Sequence, residues 1–262
     1  KRSIIYLGKM ELRFQVYLSV REIWKSISGR LREVLALLNV ISAEWLKLRS
    51  NRIFTVCSLL TLLTSAFMVF RDLVIVDNPP ESYQMWLPSI YIVVGMVLSI
   101  MSGFIITFLM QREYEDRTIN NVLTAPTSRG RYLFGKLVIW FIWYLGTLIG
   151  VVTIYTIGGW LIYPDTFGLA GTKILVSTLL KYCLLGFVAA IPLLTISVVQ
   201  RKLFYPTIMV ALVFTGIQTF ALNIPFKFAR IIPWSAVVVQ SLMELTLKDD
   251  LLTLGSIFLT GI

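Results

Sequence analysis

The chain has 262 residues, is 57% hydrophobic and 15% charged, and carries a formal net charge of +10 with a mean hydropathy of +0.80. Soluble domains carry about 25% charged residues, so this balance excludes an ordinary soluble fold. The absence of histidine excludes His-based catalysis, HExxH zinc sites and His ligation of haem.

In chain order, residues 1–50 are expected to form an interfacial helical segment. From Val20 to Leu48, apolar residues (among them Trp24, Leu31, Leu38 and Trp45) recur at helical spacing. Arg21, Lys25, Arg32, Glu44, Lys47 and Arg49 lie on the other face. A basic amphipathic helix with Trp on its apolar face suits a membrane surface; a soluble bundle helix is the plainer alternative. The first strongly apolar run begins near residue 53 behind a charged border, so no cleavable signal peptide is expected.

Residues 51–262 predict an all-α, polytopic membrane helix bundle. Uncharged or nearly uncharged runs occupy Ile53–Phe70, Leu87–Met110, Leu137–Ile162, Ile174–Val199 and Leu203–Ile224. Each is long enough to cross a hydrocarbon core of roughly 30 Å as a helix, and none alternates as a barrel strand would. A sixth span is expected from Leu251, incomplete at Ile262. Between spans five and six, Ala236–Val239 predicts a short re-entrant or interfacial helix.

Charge sets an expected orientation. The stretch 1–52 and the loops 111–136 and 200–202 hold 18 of the 24 Lys and Arg, while the acidic residues divide evenly between the two sides. The positive-inside rule then places the N-terminus and loop 111–136 in the cytoplasm. It accounts for the net charge without nucleic acid. Cys57 and Cys183 fall in apolar runs and read as small core residues. Gly95, Ser99, Ser102 and Gly103 put small residues four apart on span two, a device for close helix approach within one chain or between subunits. Trp140, Phe141, Trp143 and Tyr144 read as an interfacial aromatic belt. Lys181, inside span four, is either a snorkelling lysine or a functional intramembrane charge.

Loop 111–136 is the most informative stretch. Arg112, Glu113, Glu115, Asp116 and Arg117 crowd the end of span two. A short helix is expected over Thr118–Thr124, capped by Thr118, favoured by the Asp116 charge and stopped by Pro126. Gly130–Leu137 imitates a phosphate-binding loop. Leu137 stands where Ser or Thr must hold magnesium, and no strand precedes it, which excludes that reading. Lys136 reads instead as an inner-edge anchor.

The run Glu113-Tyr114-Glu115-Asp116-Arg117-Thr118, followed by Leu123, Ala125-Pro126, Ser128-Arg129 and Gly135-Lys136, resembles the inner loop of the permeases of type-2 ABC exporters. Ser42-Ala43-Glu44-Trp45-Leu46-Lys47-Leu48-Arg49 resembles the segment that opens them. The likeness extends over about residues 40–262; residues 1–39 stand outside it. It implies a bacterial plasma-membrane permease paired with a second copy or a homologue. It also implies a separate ABC ATP-binding subunit that holds ATP and magnesium, leaving this chain without cofactor, metal or catalytic residue. The surface meeting the ATPase would comprise Glu44, Trp45, Lys47, Arg49, Arg112, Glu113, Tyr114, Asp116, Thr118, Pro126 and Arg129, with the short loop helix as coupling helix. Among such permeases the chain most resembles those of peptide-antibiotic export and immunity. Three other readings are a polysaccharide- or lipid-exporting permease, an ion-coupled carrier hinted at by Lys181 and Pro192, and a membrane enzyme, for which no acid–base pair is visible.

Overall fold

The computed structural model describes residue 42 and residues 52–76, 80–115, 129–199, 205–242 and 247–261. The expected N-terminal amphipathic helix and the Thr118–Thr124 helix lie outside the described residues.

Eight α-helices make up the described chain: α1 (Arg52–Phe70), α2 (Tyr83–Glu115), α3 (Arg129–Ile162), α4 (Gly168–Val199), α5 (Tyr205–Thr219), α6 (Phe226–Ala229), α7 (Pro233–Leu242) and α8 (Leu247–Gly261). A π-turn, Arg71–Ile75, extends α1. Four segments are long and apolar enough to cross a membrane: Arg52–Ile75, Tyr83–Arg112, Leu133–Ile162 and Gly168–Val199. The fifth predicted span is shorter than expected. Its helix ends at Thr219, and a 3-10 turn, Ala221–Asn223, follows. Ile224 is extended ahead of Pro225, because a proline crowds the helical conformation of the residue before it.

The helices thread back and forth. Tyr144 of α3 donates to the Cys183 carbonyl of α4 (3.0 Å), and Trp140 packs on Phe187 (centroids 4.2 Å), so numbering on α3 rises as it falls on α4. Antiparallel order also holds for α2 and α5, where Ser99 donates to Gln218 Oε1 (2.8 Å) and Gly103 faces Ala211. One end of the bundle therefore collects the start of α1, the end of α2, the start of α3, the end of α4 and the start of α5. In the sequence these helix ends border the basic stretches, so that end is called the basic end below.

Helices in lipid gain little from burying apolar surface against one another, so small residues and interior polar bonds carry much of the association. The α2 stripe serves this purpose within the chain. A Cβ on Gly103 would lie 2.5 Å from the Ala211 Cβ, and one on Gly95 would collide with the Tyr182 ring. Along α1 and α3, Gly150 meets Leu62 and Gly158 meets Val69. Cys57 and Cys183 are buried and unbonded to each other.

The aromatic group at the start of span three is not an interfacial belt. Trp140, Trp143 and Tyr144 are buried, and Phe141 packs against the same core. Phe187 of α4 receives Trp140, Phe141 and Tyr144, while Phe54 of α1 meets Trp143 and Phe108 edge-on. The density of aromatics in sequence fits either location; helical phase turns all four rings toward neighbouring helices.

A ten-residue helix, α7, stands where the short helix around Ala236–Val239 was expected. Trp234 at its start stacks on Phe214 (3.7 Å) and donates to the Ala189 carbonyl (2.9 Å). Helix α8 begins at Leu247, ahead of the predicted Leu251. Asp249 and Asp250 in its first turn complement the positive end of its dipole.

Candidate functional site

The basic end is the candidate site: of the predicted partner-facing residues, Arg112, Glu113, Tyr114 and Arg129 belong to the helix ends that meet there. Helix α2 runs on to Glu115 and α3 starts at Arg129, eight residues ahead of the predicted Leu137. The inner loop thus shrinks from 111–136 to 116–128. Glu113 and Tyr114 occupy the last turn of α2, Arg129 opens α3, and Arg112 is half-buried one position before Glu113. Asp116, Thr118 and Pro126 lie outside the described residues, as do Glu44, Trp45, Lys47 and Arg49.

Lys136 explains how α3 can begin so early. The lysine is 1% exposed, and its Nζ donates to the Leu109 carbonyl of α2 at 2.8 Å. An ammonium buried without compensation costs several kcal/mol. Here it meets the Leu109 carbonyl through a charge-assisted bond. The edge-anchor reading is corrected: Lys136 points into the helix pair, with Ile139 and Trp140 fully buried beside it in sequence.

The opposite end carries a second polar construction, which the sequence reading missed. The π-turn after α1 closes through a bond from the Val76 amide to the Arg71 carbonyl (3.0 Å). Inserting a residue into a helix shifts its phase; here Asp72 is buried at 5% exposure while Leu73, Val74 and Ile75 face outward. Trp86 of α2 donates to Asp72 Oδ2 (2.8 Å), and Arg71 donates from Nε to Oδ1 (2.8 Å). Trp86 also packs on Tyr155 and Tyr163. Tyr163, just beyond α3, donates to the Pro80 carbonyl (2.9 Å); burial, then the Asp72 charge, pushes its phenol up. An acidic residue beside Arg71 at a span edge reads as solvated loop, and only the π-turn turns it inward.

In the C-terminal part of the chain, Arg230 pairs with Asp249 (2.5 Å), Gln240 donates to Asp250 (2.8 Å), and Thr253 donates to Gln240. These bonds join α8 to α7 and to the turn before it. Lys181 belongs to neither end. It is exposed on the outside of α4, where Ile174, two turns before it, and Leu184, one turn after it, are also exposed. Among the described residues it lies apart from Arg112, near the middle of α4 rather than at the basic end.

A family model described as "ABC-2 family transporter protein" matches residues 40–218. That interval takes in α1 through α4, nearly all of α5, and both sequence segments that carry the resemblance. The chain is also similar to the bacitracin transport permease protein BCRB of Bacillus licheniformis, at 25% identity over 146 residues. The match covers 52% of this chain and 64% of that protein, so it spans less than two thirds of the relative. No solved structure matches the chain significantly. With more than half of its length matched by the family model, the chain belongs to the ABC-2 family of transporter proteins, as a multi-pass membrane protein.

Proposed function

We propose that this chain is the membrane-spanning permease subunit of an ATP-driven exporter, energised by a separate ABC ATP-binding subunit. The family match over residues 40–218 is the observation that carries this reading. The substrate is a hydrophobic or amphipathic molecule of the peptide-antibiotic class, supported by the similarity to a bacitracin permease. ATP and magnesium bind in the partner, and a second copy or a homologue of this chain completes the translocation unit. In the bacterial plasma membrane the N-terminus and the 116–128 loop face the cytoplasm, as the distribution of Lys and Arg requires.

In this reading Glu44, Trp45, Lys47 and Arg49, together with Arg112, Glu113, Tyr114, Asp116, Thr118, Pro126 and Arg129, receive the ATPase. Closure of the ATPases on ATP pushes the loop, and the push reaches the spans through α2 and α3. An ion-coupled carrier fits the helices less well. Such carriers bind at broken helices near the midplane, whereas α2 and α4 run unbroken through Pro88 and Pro192.

The test is co-purification with the genomic neighbours, followed by bacitracin transport in inverted vesicles. The ATP-binding subunit should co-purify, and transport should stop on ATP depletion. Recovery of no ATP-binding protein, with transport indifferent to ATP, would sink the proposal. Glu113→Ala should leave the permease folded while lowering substrate-stimulated ATPase activity; unchanged stimulation and transport would remove Glu113 from the coupling surface.

A further inference from the structure

We infer that Lys136 is a positioning residue that makes α2 and α3 a single lever for the 116–128 loop. This rests on the exporter reading for its functional consequence, and on the geometry alone for the strap itself. Leu109 lies six residues before the end of α2, and Lys136 lies seven residues after the start of α3. At a rise of 1.5 Å per residue, the bond sits about 9–10 Å inside each helix end. The two helices that border the loop are therefore tied at matching depth.

The chemistry of the tie is unusual for its place. A leucine or methionine would fill the same buried volume without the cost of desolvating an ammonium. The lysine instead supplies a directional, charge-assisted donor to one backbone carbonyl. An apolar contact lets helices slide; a bond to a particular carbonyl fixes their register. Force on the loop is then delivered to both helices together. Helix α2 packs on α4 and α5, and α3 packs on α1 and α4, so the strapped pair touches every other long helix of the bundle.

The experiment uses the full permease co-expressed with its ATP-binding subunit in membrane vesicles. Lys136→Met keeps length and volume but removes the donor; Lys136→Arg restores a charged donor. Lys136→Met should still bind the ATP-binding subunit, with at least a tenfold fall in bacitracin moved per ATP hydrolysed. Lys136→Arg should recover a substantial part of that ratio. A ratio for Lys136→Met within twofold of the parent overturns the inference, and so does equal failure of Met and Arg.

Hydrogen exchange on the permease alone reads the strap without the ATPase. Amides of 109–115 and 129–136 should exchange at least tenfold faster together in Lys136→Met. Exchange that rises on only one helix, or on neither, overturns the strap. Should the parent bind no ATP-binding subunit while exchange behaves as stated, the exporter reading fails and the strap stands. Where Lys136→Met does not accumulate in membranes, Lys136→Gln, a neutral donor, is measured in the same way. Failure of both to accumulate makes Lys136 a folding requirement only and overturns its role in coupling.

Discussion

At the end of the bundle away from the basic stretches, side chain meets side chain: Asp72 accepts from Arg71 and from Trp86. At the basic end, Lys136 instead reaches from α3 to the backbone of α2, below a loop that the family resemblance assigns to a partner. The Asp72 bonds and the packing of Trp86 on Tyr155 and Tyr163 tie α1, α2 and α3 together at their end. The Lys136 strap ties α2 to α3, and in the proposed exporter the tied pair moves as a unit. In the proposed exporter, this contrast separates a clamped end from a driven end.

Removing Asp72 is the most direct way to break the clamp. Asp72→Ala leaves the Trp86 indole N–H and the Arg71 guanidinium without their acceptor. Removing one partner of a buried pair costs about 3–5 kcal/mol. The lower end applies because Arg71 is 39% exposed and can recover water. The expected loss is therefore about 3 kcal/mol, read from thermal or denaturant unfolding in detergent. A loss below about 1 kcal/mol would show that the aromatic packing of Trp86 on Tyr155 and Tyr163 holds this end without the carboxylate.

The middle of the bundle sharpens the comparison, because both ends depend on helices meeting closely there. Gly103→Ala would set a new Cβ 2.5 Å from that of Ala211. Both neighbours are attached directly to backbone, so α2 and α5 must separate, at a cost of about 1–3 kcal/mol. Gly146 on α3 is the control, since a Cβ there meets nothing within 4 Å. Gly146→Ala should be neutral or stabilising by up to about 1 kcal/mol, because alanine is the better helix former. Equal effects at the two sites would mean that small residues on α2 do not set the helix spacing.

These sites also mark what the sequence could reveal. Long apolar runs announced the helices, since a span must be long and uncharged whatever it packs against. The small residues on α2 were visible as a stripe, although their partners Tyr182 and Ala211 were not, because spacing along one helix says nothing about which neighbour approaches. Asp72 was missed and Lys136 misread for a common reason. Both lie at charged borders of apolar runs, where hydropathy predicts solvated ends. A π-turn turns one inward, and an early helix start carries the other into the bundle; neither leaves a mark in composition. Aromatic residues near a span edge were ambiguous in the same way until helical phase placed Phe187 among them. The segments carrying the family resemblance were legible as motifs, and much of their surface lies outside the described residues.

The smallest expected effect is at Lys181, and it tests whether the lateral surface of α4 belongs to either end's machinery. Lys181 is exposed, with Ile174 and Leu184 exposed on the same face. It follows Lys173 by about 12 Å along the helix, a distance a lysine stem spans in part as it reaches toward the membrane surface. Such a residue contributes little to packing, so Lys181→Leu should change stability by less than about 0.5 kcal/mol. Removing an ammonium from the interior of a span also favours the embedded state, so membrane levels should hold or rise. Bacitracin transport per unit of inserted protein should be unchanged. Loss of transport at normal membrane levels would instead give the outer face of α4 a functional role. The contrast between a clamped and a driven end would then need a third participant on the side of the bundle.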